Sequence, residues 1–599
     1  MINLTNEQRQ NALATIRQAM QAQNIDTYIL TKMDPHQSEY AADFYNEVQF
    51  ISGFKGSVGT VIITQDHAGL WTDGRYFLQA EAQLMPWFTL HKMREKDVLD
   101  PIPWSLKHTA EGGSIAINPL AFSAAEVKVL SGKAKQSKLS IKNADLVSPV
   151  WDNRPVVTRG PLFNYDVNLS GKTYAEKLGD VSARMFDAGA GLYVISSLDD
   201  IAWLLNMRST VDNNSFNFSA YVTIAPGETC LFIDTTHVDD EVVSALSKQG
   251  IKIKPYGAIT DYIKAHPSPN VAYAPKRTSW FIHTAMSGKQ PIEIPHDYTA
   301  MLKAIKNKVE RQGTRVANEK DAAAFIKLIK WVKQTVPKQP ITETDVEDKL
   351  RDIRTQLPDY LGTSFAPIVG YAGNGAIIHY KAEKETAKTL EPIGLVLIDS
   401  GANFIQGTTD ITRTVVLGEL TNEMKMAYTA VLRGNIALTM AKFPEGTMGY
   451  HLDTIARAQV WLAGFNYGHG TGHGIGHMLN VHEGPQSVSP VPLANGVPLQ
   501  AKMLISNEPG VYVADQFGVR LETSLFVREV EKTTQAQFLG FENVTFVPFE
   551  REAIIESMLT PAERNWLNIY HQKVYLQQSS LDYLTTEEKE WLKEATKPI

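Results

Sequence analysis

The segment HGTGHGIGHMLNVHEGP, residues 469–485, holds four of the fifteen histidines in a chain of 599 residues. Glycine at 470, 472, 474 and 476 lets backbone approach a ligand closely, and such a density of glycine and histidine points to a site rather than a plain connecting loop. Familiar alternatives fail on inspection. Position 470 is glycine, not glutamate, so the run is not the H-E-x-x-H zinc helix. The glycine spacing does not satisfy G-x-G-x-x-G, and P-loop and G-x-S-x-G signatures are absent.

Two pairs of carboxylates flank this segment. Asp399 and Asp410 lie in LVLIDSGANFIQGTTDITRTVV, where two β-rich runs around a Ser-Gly-Ala-Asn turn predict a hairpin. Asp399 ends an apolar strand, where an unpaired carboxylate is costly to bury. Glu508 lies in LISNEPGVYV, and Pro509 biases it toward extended backbone. Glu522 lies in GVRLETSLFV, whose alternation places Arg520, Glu522 and Ser524 on one face. Taken singly, each has a bland reading: a turn-capping aspartate, or a surface ion pair between Glu522 and Arg520. The recurrence of the pattern on both sides of the histidine segment argues for shared chemistry. One imidazole and four carboxylates bring about four negative charges, enough to neutralise two divalent cations. Mostly oxygen donors with one nitrogen suit Mn²⁺, with Co²⁺ and Zn²⁺ also compatible. Two such ions can share a water, lower its pKa toward about 7 and polarise a carbonyl, which describes a hydrolytic site.

Composition bounds the remaining choices. The length predicts two to four domains. At 43% hydrophobic and 21% charged residues the chain reads as ordinary globular protein, and a net charge of −7 speaks against a nucleic-acid partner. The single cysteine, Cys230, excludes an internal disulfide and a cysteine zinc cage; within TCLFI it reads as a buried structural thiol. The first residues, MINLTNEQRQNALATIRQAMQ, lack the apolar core of a signal peptide, and no apolar run of ~18 residues could span a bilayer. A soluble, cytoplasmic protein with no membrane partner is expected.

Along the chain, an amphipathic helix is predicted around residues 5–23, followed by strands at Thr27–Leu30, Val61–Ile63 and Gly69–Trp71 and a turn at Asp73-Gly74. A similar order returns near 190, with a strand at Gly191–Ile195, the helical DDIAWLLNM, and strands YVTI and TCLFID. This suggests a duplicated α/β unit divided within the proline-bearing stretch 149–161. From about 310 the spacing of Ala323, Phe325, Ile326 and Ile329 predicts a long helix opening a third domain. The chain after about 550 reads as a packed helical ending.

In this order and these contexts, Asp399, Asp410, His473, Glu508 and Glu522 resemble the metal-ligand set of the pita-bread metallopeptidases, which include methionine aminopeptidase, prolidase and aminopeptidase P. NGAIIHY (374–380), DSGANFIQGTTDITRT, HGTGHGIGHMLNVHEGP and SNEPGVY are similar to the long, three-domain aminopeptidase P family. LWTDGRYFLQAE (70–81), HQSEYAA (36–42) and SLDDIAWLLNMR (197–208) resemble its N-terminal domains. The resemblance implies two N-terminal creatinase-like α/β domains, 1–157 and 158–305, before an α+β pita-bread catalytic domain, 306–599. It implies hydrolysis of an N-terminal Xaa-Pro bond by a hydroxide held between two metal ions, and a homodimer. Within the ligand set it implies one metal on Asp410, with His473 and Glu508 near the second, Asp399 chelating and Glu522 bridging. It further implies Glu508 as proton acceptor, His482 and His379 holding substrate and stabilising the intermediate, His469 lining a proline pocket, and Arg520 binding substrate. His477 is read instead as a packing residue. Prolidase, the nearest rival, typically has one N-terminal domain rather than two. Creatinase lacks the five-ligand set. Non-catalytic pita-bread binding modules have lost ligands and carry long acidic tails.

Overall fold

The computed structural model describes Ile2 and residues 4–210, 214–493 and 495–599. It divides into two compact units, Met1–Tyr165 with Lys172–Thr299, and Asp166–Gly171 with Ala300–Ile599. No helix among the described residues is long and apolar enough to cross a membrane.

The first unit opens with the helix Asn6–Ala22, started by a capping box between Thr5 and Gln8. Its buried face, Leu13, Ile16 and Met20, packs against Tyr28, Leu30, Val61 and Leu70 of the first sheet. That sheet orders its strands Thr89–Lys92, Ala68–Thr72, Thr60–Ile63, Thr27–Thr31, Ser114–Ile117 and Ser140–Asn143. A second sheet runs Ile251–Pro255, Glu228–Ile233, Ala220–Ala225, Leu192–Ile195, Asn270–Tyr273 and Gln290–Glu293. The two sheets share one sequence of pairings: parallel, antiparallel, antiparallel, parallel, parallel. Such a pattern follows when three antiparallel strands are succeeded by three helical crossovers. Cys230 is fully buried in the second sheet, beside Phe232 in the apolar cluster, as its surroundings in sequence predict.

The second unit starts on the helix Lys308–Thr335, whose capping box joins Asn307 and Glu310. Helices Glu343–Thr355, Asn422–Thr439, Gly449–Leu462, Pro561–Ser580 and Thr586–Ala595 cover the strands that carry the acidic residues. Strand Leu395–Ser400 pairs antiparallel with Ile411–Val416, Asp399 opposite Thr412, so the predicted hairpin forms; the short strands Ala402–Phe404 and Gly407–Thr408 occupy its loop. Strand Leu504–Asn507 pairs with Thr523–Lys532 on one side and with Gly472–Gly474 on the other. The run around Glu522 departs from expectation. It divides into Phe517–Arg520 and Thr523–Lys532, which belong to different sheets, so the alternation through Arg520, Glu522 and Ser524 is broken.

The glycines of the histidine segment serve the sheet. A Cβ on Gly472 would lie 2.0 Å from the Ser506 carbonyl oxygen, and one on Gly474 2.1 Å from that of Glu483. Close approach is required here, but by neighbouring strands.

Candidate metal centre

Five strands bring the predicted metal ligands together. Asp399 ends one strand of the hairpin and Asp410 precedes the other; His473 comes from the glycine-rich strand, and Glu508 and Glu522 flank the ends of adjacent strands. Ligand atoms of Asp410, His473 and Glu522 all lie within 4.8 Å of one another. His473 Nε2 is 3.3 Å from Asp410 Oδ2 and 3.4 Å from Glu508 Oε1. The other ring nitrogen, Nδ1, donates to the Gly474 carbonyl at 2.9 Å, which leaves Nε2 as the ligand atom.

The site is short of positive charge. Burial pushes the Glu522 carboxyl well above the ordinary carboxylate range, and the charges of Asp410, Glu508 and Asp399 add to this. Burial raises Asp399 as well, with Arg520 opposing and Asp410 reinforcing the shift. Glu508 rises to about 7 through burial, against the attraction of His473. Burial disfavours the imidazolium of His473, yet its hydrogen bond to Asp410 and the charge of Glu508 carry it up to about 9. Protons thus stand where cations would bind, and metal affinity to such a set is a competition with them.

Two further observations fit divalent cations. Asp399 Oδ1 and Glu522 Oε1 are buried with no hydrogen-bond partner, a costly condition that a metal ion relieves. Their sister oxygens are oriented: Glu522 Oε2 accepts from Thr412 Oγ1 at 2.8 Å, and Asp399 Oδ2 accepts from the Arg520 guanidinium. Arg520 therefore pairs with Asp399, and the alternative reading of Glu522, a surface pair with Arg520, is not what forms; Glu522 is only 1% exposed.

Arg520 continues a chain of contacts outward. Its Nη1 donates to the Tyr512 hydroxyl at 2.7 Å, and Tyr512 donates to His469 Nε2 at 2.8 Å. His469 Nδ1 in turn donates to the Gly470 carbonyl at 2.8 Å, and burial followed by the nearby Arg520 charge holds this ring neutral. His482 sits edge-on to His473, ring centres 4.3 Å apart. His379 is half-buried on the segment after Ala372–Ala376, which buried Glu343 ties down by accepting from Tyr371 N, Asn374 Nδ2, Tyr380 Oη and Lys388 N. His477 is buried, its Nε2 3.1 Å from the Leu169 carbonyl.

With this geometry in view, comparison with known proteins places the chain. Residues 312–529 match metallopeptidase family M24, 537–599 match the C-terminal region of that family, and 13–148 and 153–310 each match a creatinase/prolidase N-terminal domain. Aminopeptidase P2 of Arabidopsis thaliana is 38% identical over 613 residues, spanning 96% of this chain and 86% of that protein. A probable Xaa-Pro aminopeptidase P of Neurospora crassa is 38% identical over 609 residues, spanning 98% and 89%. The chain belongs to metallopeptidase family M24, in its aminopeptidase P branch. A crystal structure of X-prolyl aminopeptidase from Caenorhabditis elegans, a cytosolic enzyme with a di-nuclear active site, superposes with a TM-score of 0.94 at 31% identity and covers 100% of both chains.

Sequence reasoning missed the residues that aim the ligands of this M24 domain. Arg354, 1% exposed along its side chain, donates to both oxygens of buried Asp321, to Ser400 Oγ at 2.7 Å and to the Gly401 carbonyl at 3.0 Å. Asp321 also accepts from Thr409 Oγ1. Ser400 and Thr409 adjoin Asp399 and Asp410, so one buried ion pair steadies both arms of the hairpin. A charged pair at 321 and 354, on two different helices, gave no sign of this in sequence, because the link closes only in space.

Proposed function

We propose that the chain is a metal-dependent Xaa-Pro aminopeptidase, removing the N-terminal residue from peptides whose second residue is proline. The convergence of Asp410, His473 and Glu522 within 4.8 Å, inside a full-length likeness to aminopeptidase P proteins, carries this reading. Two divalent cations would be held by Asp399, Asp410, His473, Glu508 and Glu522. Mn²⁺ is the first choice because four of these five ligands are carboxylates, with Zn²⁺ and Co²⁺ as rivals. Bound there, the cations supply Lewis-acid polarisation of the scissile carbonyl and activation of a water.

The chain's own residues do the rest. Glu508 Oε1, beside His473 Nε2, accepts the proton released as the carbonyl is attacked, and returns it to the leaving proline nitrogen. His482 and His379 hold the substrate and stabilise charge on the carbonyl oxygen. His469, kept neutral, lines the pocket for the proline ring. Proline has no N–H and a fixed φ, so it is recognised by shape rather than through a backbone donor. Arg520, enclosed by Asp399 and Tyr512, acts by holding them in place. We assign the chain three domains, 1–157, 158–305 and 306–599, and a homodimeric, cytoplasmic protein with no nucleic-acid or membrane partner.

Hydrolysis of Xaa-Pro-Yaa peptides, measured after chelation and readdition of single metals, tests the reading. Activity should vanish on chelation and return best with Mn²⁺. Activity confined to Xaa-Pro dipeptides would make the protein a prolidase, and a purified chain with neither bound metal nor metal-stimulated activity would make it a binding module.

A further inference from the structure

The first unit gathers nitrogen ligands at an edge of its first sheet. His91, on the edge strand Thr89–Lys92, lies flat on Trp71, its partner in register, with ring centres 3.8 Å apart and planes 1° from parallel. Trp71 is itself fixed, donating Nε1–H to the Leu99 carbonyl at 2.8 Å. His67, just before the neighbouring strand, packs on Trp104 at 4.7 Å. The Nε2 atoms of the two histidines face each other at 3.3 Å, with ring centres 5.4 Å apart.

Gly69 makes room for this arrangement. A Cβ there would lie 2.6 Å from His67 Nε2 and 2.9 Å from His91 Nε2. Both imidazoles are half-buried, so solvent reaches the pair.

We infer that His67 and His91 form a two-imidazole binding site for a borderline divalent transition ion such as Zn²⁺, Ni²⁺ or Cu²⁺. Two nitrogens bound at 2.0–2.1 Å in a tetrahedral shell stand about 3.3 Å apart. The observed spacing therefore accepts an ion with little movement of rings already braced by indoles. In the ion-free protein one Nε2–H bridges the pair; on binding, that ring moves its proton to Nδ1 and both Nε2 lone pairs turn to the ion, with no net proton released. Burial lowers both rings, His91 to about 4, with the neighbouring histidines adding to the shift, so the ligands are neutral at ordinary pH. An all-nitrogen pair completed by water favours Zn²⁺, Ni²⁺ and Cu²⁺ over Mn²⁺, unlike the carboxylate-rich centre.

The test uses the full chain and the metals themselves. After dialysis of Mn²⁺-loaded protein against buffered micromolar Zn²⁺, the wild type should retain about one more Zn²⁺ per chain than the H67Q/H91Q variant. Cu²⁺ should quench the fluorescence of Trp71 and Trp104 in the wild type and in His108→Gln, which alters a third histidine stacked on Trp104 at 4.0 Å and outside the proposed pair, and not in the double variant. Peptidase activity should be equal in all three. Equal zinc counts and equal quenching overturn the inference. Should the double variant fold poorly, zinc-soaked crystals of the wild type decide: an anomalous peak shared by the two Nε2 atoms supports the site, and its absence beside occupied catalytic peaks refutes it.

Discussion

Ser197 sits between two carboxyls that cannot both be ionised acceptors. Its Oγ is 2.7 Å from Asp200 Oδ2 and 2.7 Å from Asp297 Oδ2, and all three residues are buried. A hydroxyl has one proton and can donate to only one of them, so the other must itself donate and hold a proton. Asp297 takes that role: burial first, then the charge of Asp200, push it from 3.8 to about 7, against hydrogen bonds from Tyr193 and Ser197 and the charge of Arg277. The folded pKa lies above the unfolded one, so the proton's contribution is full below about pH 4 and is lost as pH rises through 7. The difference between 3.8 and about 7 corresponds to on the order of 4 kcal/mol, of which ~3 kcal/mol falls between pH 5 and 8.

Asp297→Asn isolates this term. The amide oxygen still accepts from Tyr193, and the amide N–H₂ donates to Ser197, which then donates to Asp200. Urea unfolding at pH 5 and pH 8, with a labelling pulse on Cys230 marking the transition of the same unit, supplies the measurement. The wild type should lose ~3 kcal/mol more than the variant over this interval. If the two lose stability in parallel, no proton is shared at Ser197 and the reasoning fails.

Further expectations concern the second unit. Asp410→Ala or Glu522→Ala should abolish peptide hydrolysis and reduce bound metal while leaving the circular dichroism intact; full retained activity would contradict the site. Arg354→Met strips Asp321 of its buried partner and should destabilise the second unit by roughly 3–5 kcal/mol, with metal content falling alongside, both readable by thermal unfolding and metal analysis. Tyr512→Phe cuts the link from Arg520 to His469. It should lower kcat/KM by ~10-fold or more, from the ~1.5–3 kcal/mol of a hydrogen bond to a charged group, with metal content unchanged.

Much of the scaffold was legible locally. Continuous apolar, β-branched and aromatic runs marked Val61–Ile63 and the strands around 192–195 and 220–233, and helical spacing marked Lys308–Thr335. Each signal lies within one turn or one pleat of itself. The break at Leu521 and Glu522 was not legible, since both flanking strands share a β pattern and only their enrolment in different sheets ends the alternation.

The sequence by itself determined the kinds of ligand: one imidazole and four carboxylates on strand ends, too acidic a set to be buried without cations. Tertiary structure alone decided which charge answers which. Arg520 turned to Asp399, 121 residues distant in the chain, rather than to Glu522 two residues on. Arg354 and Asp321 came to steady the hairpin, and Tyr512 to join Arg520 with His469. Periodicity reports the face on which a residue lies, whereas the partner of a buried charge is chosen by the packing of distant elements that desolvates it.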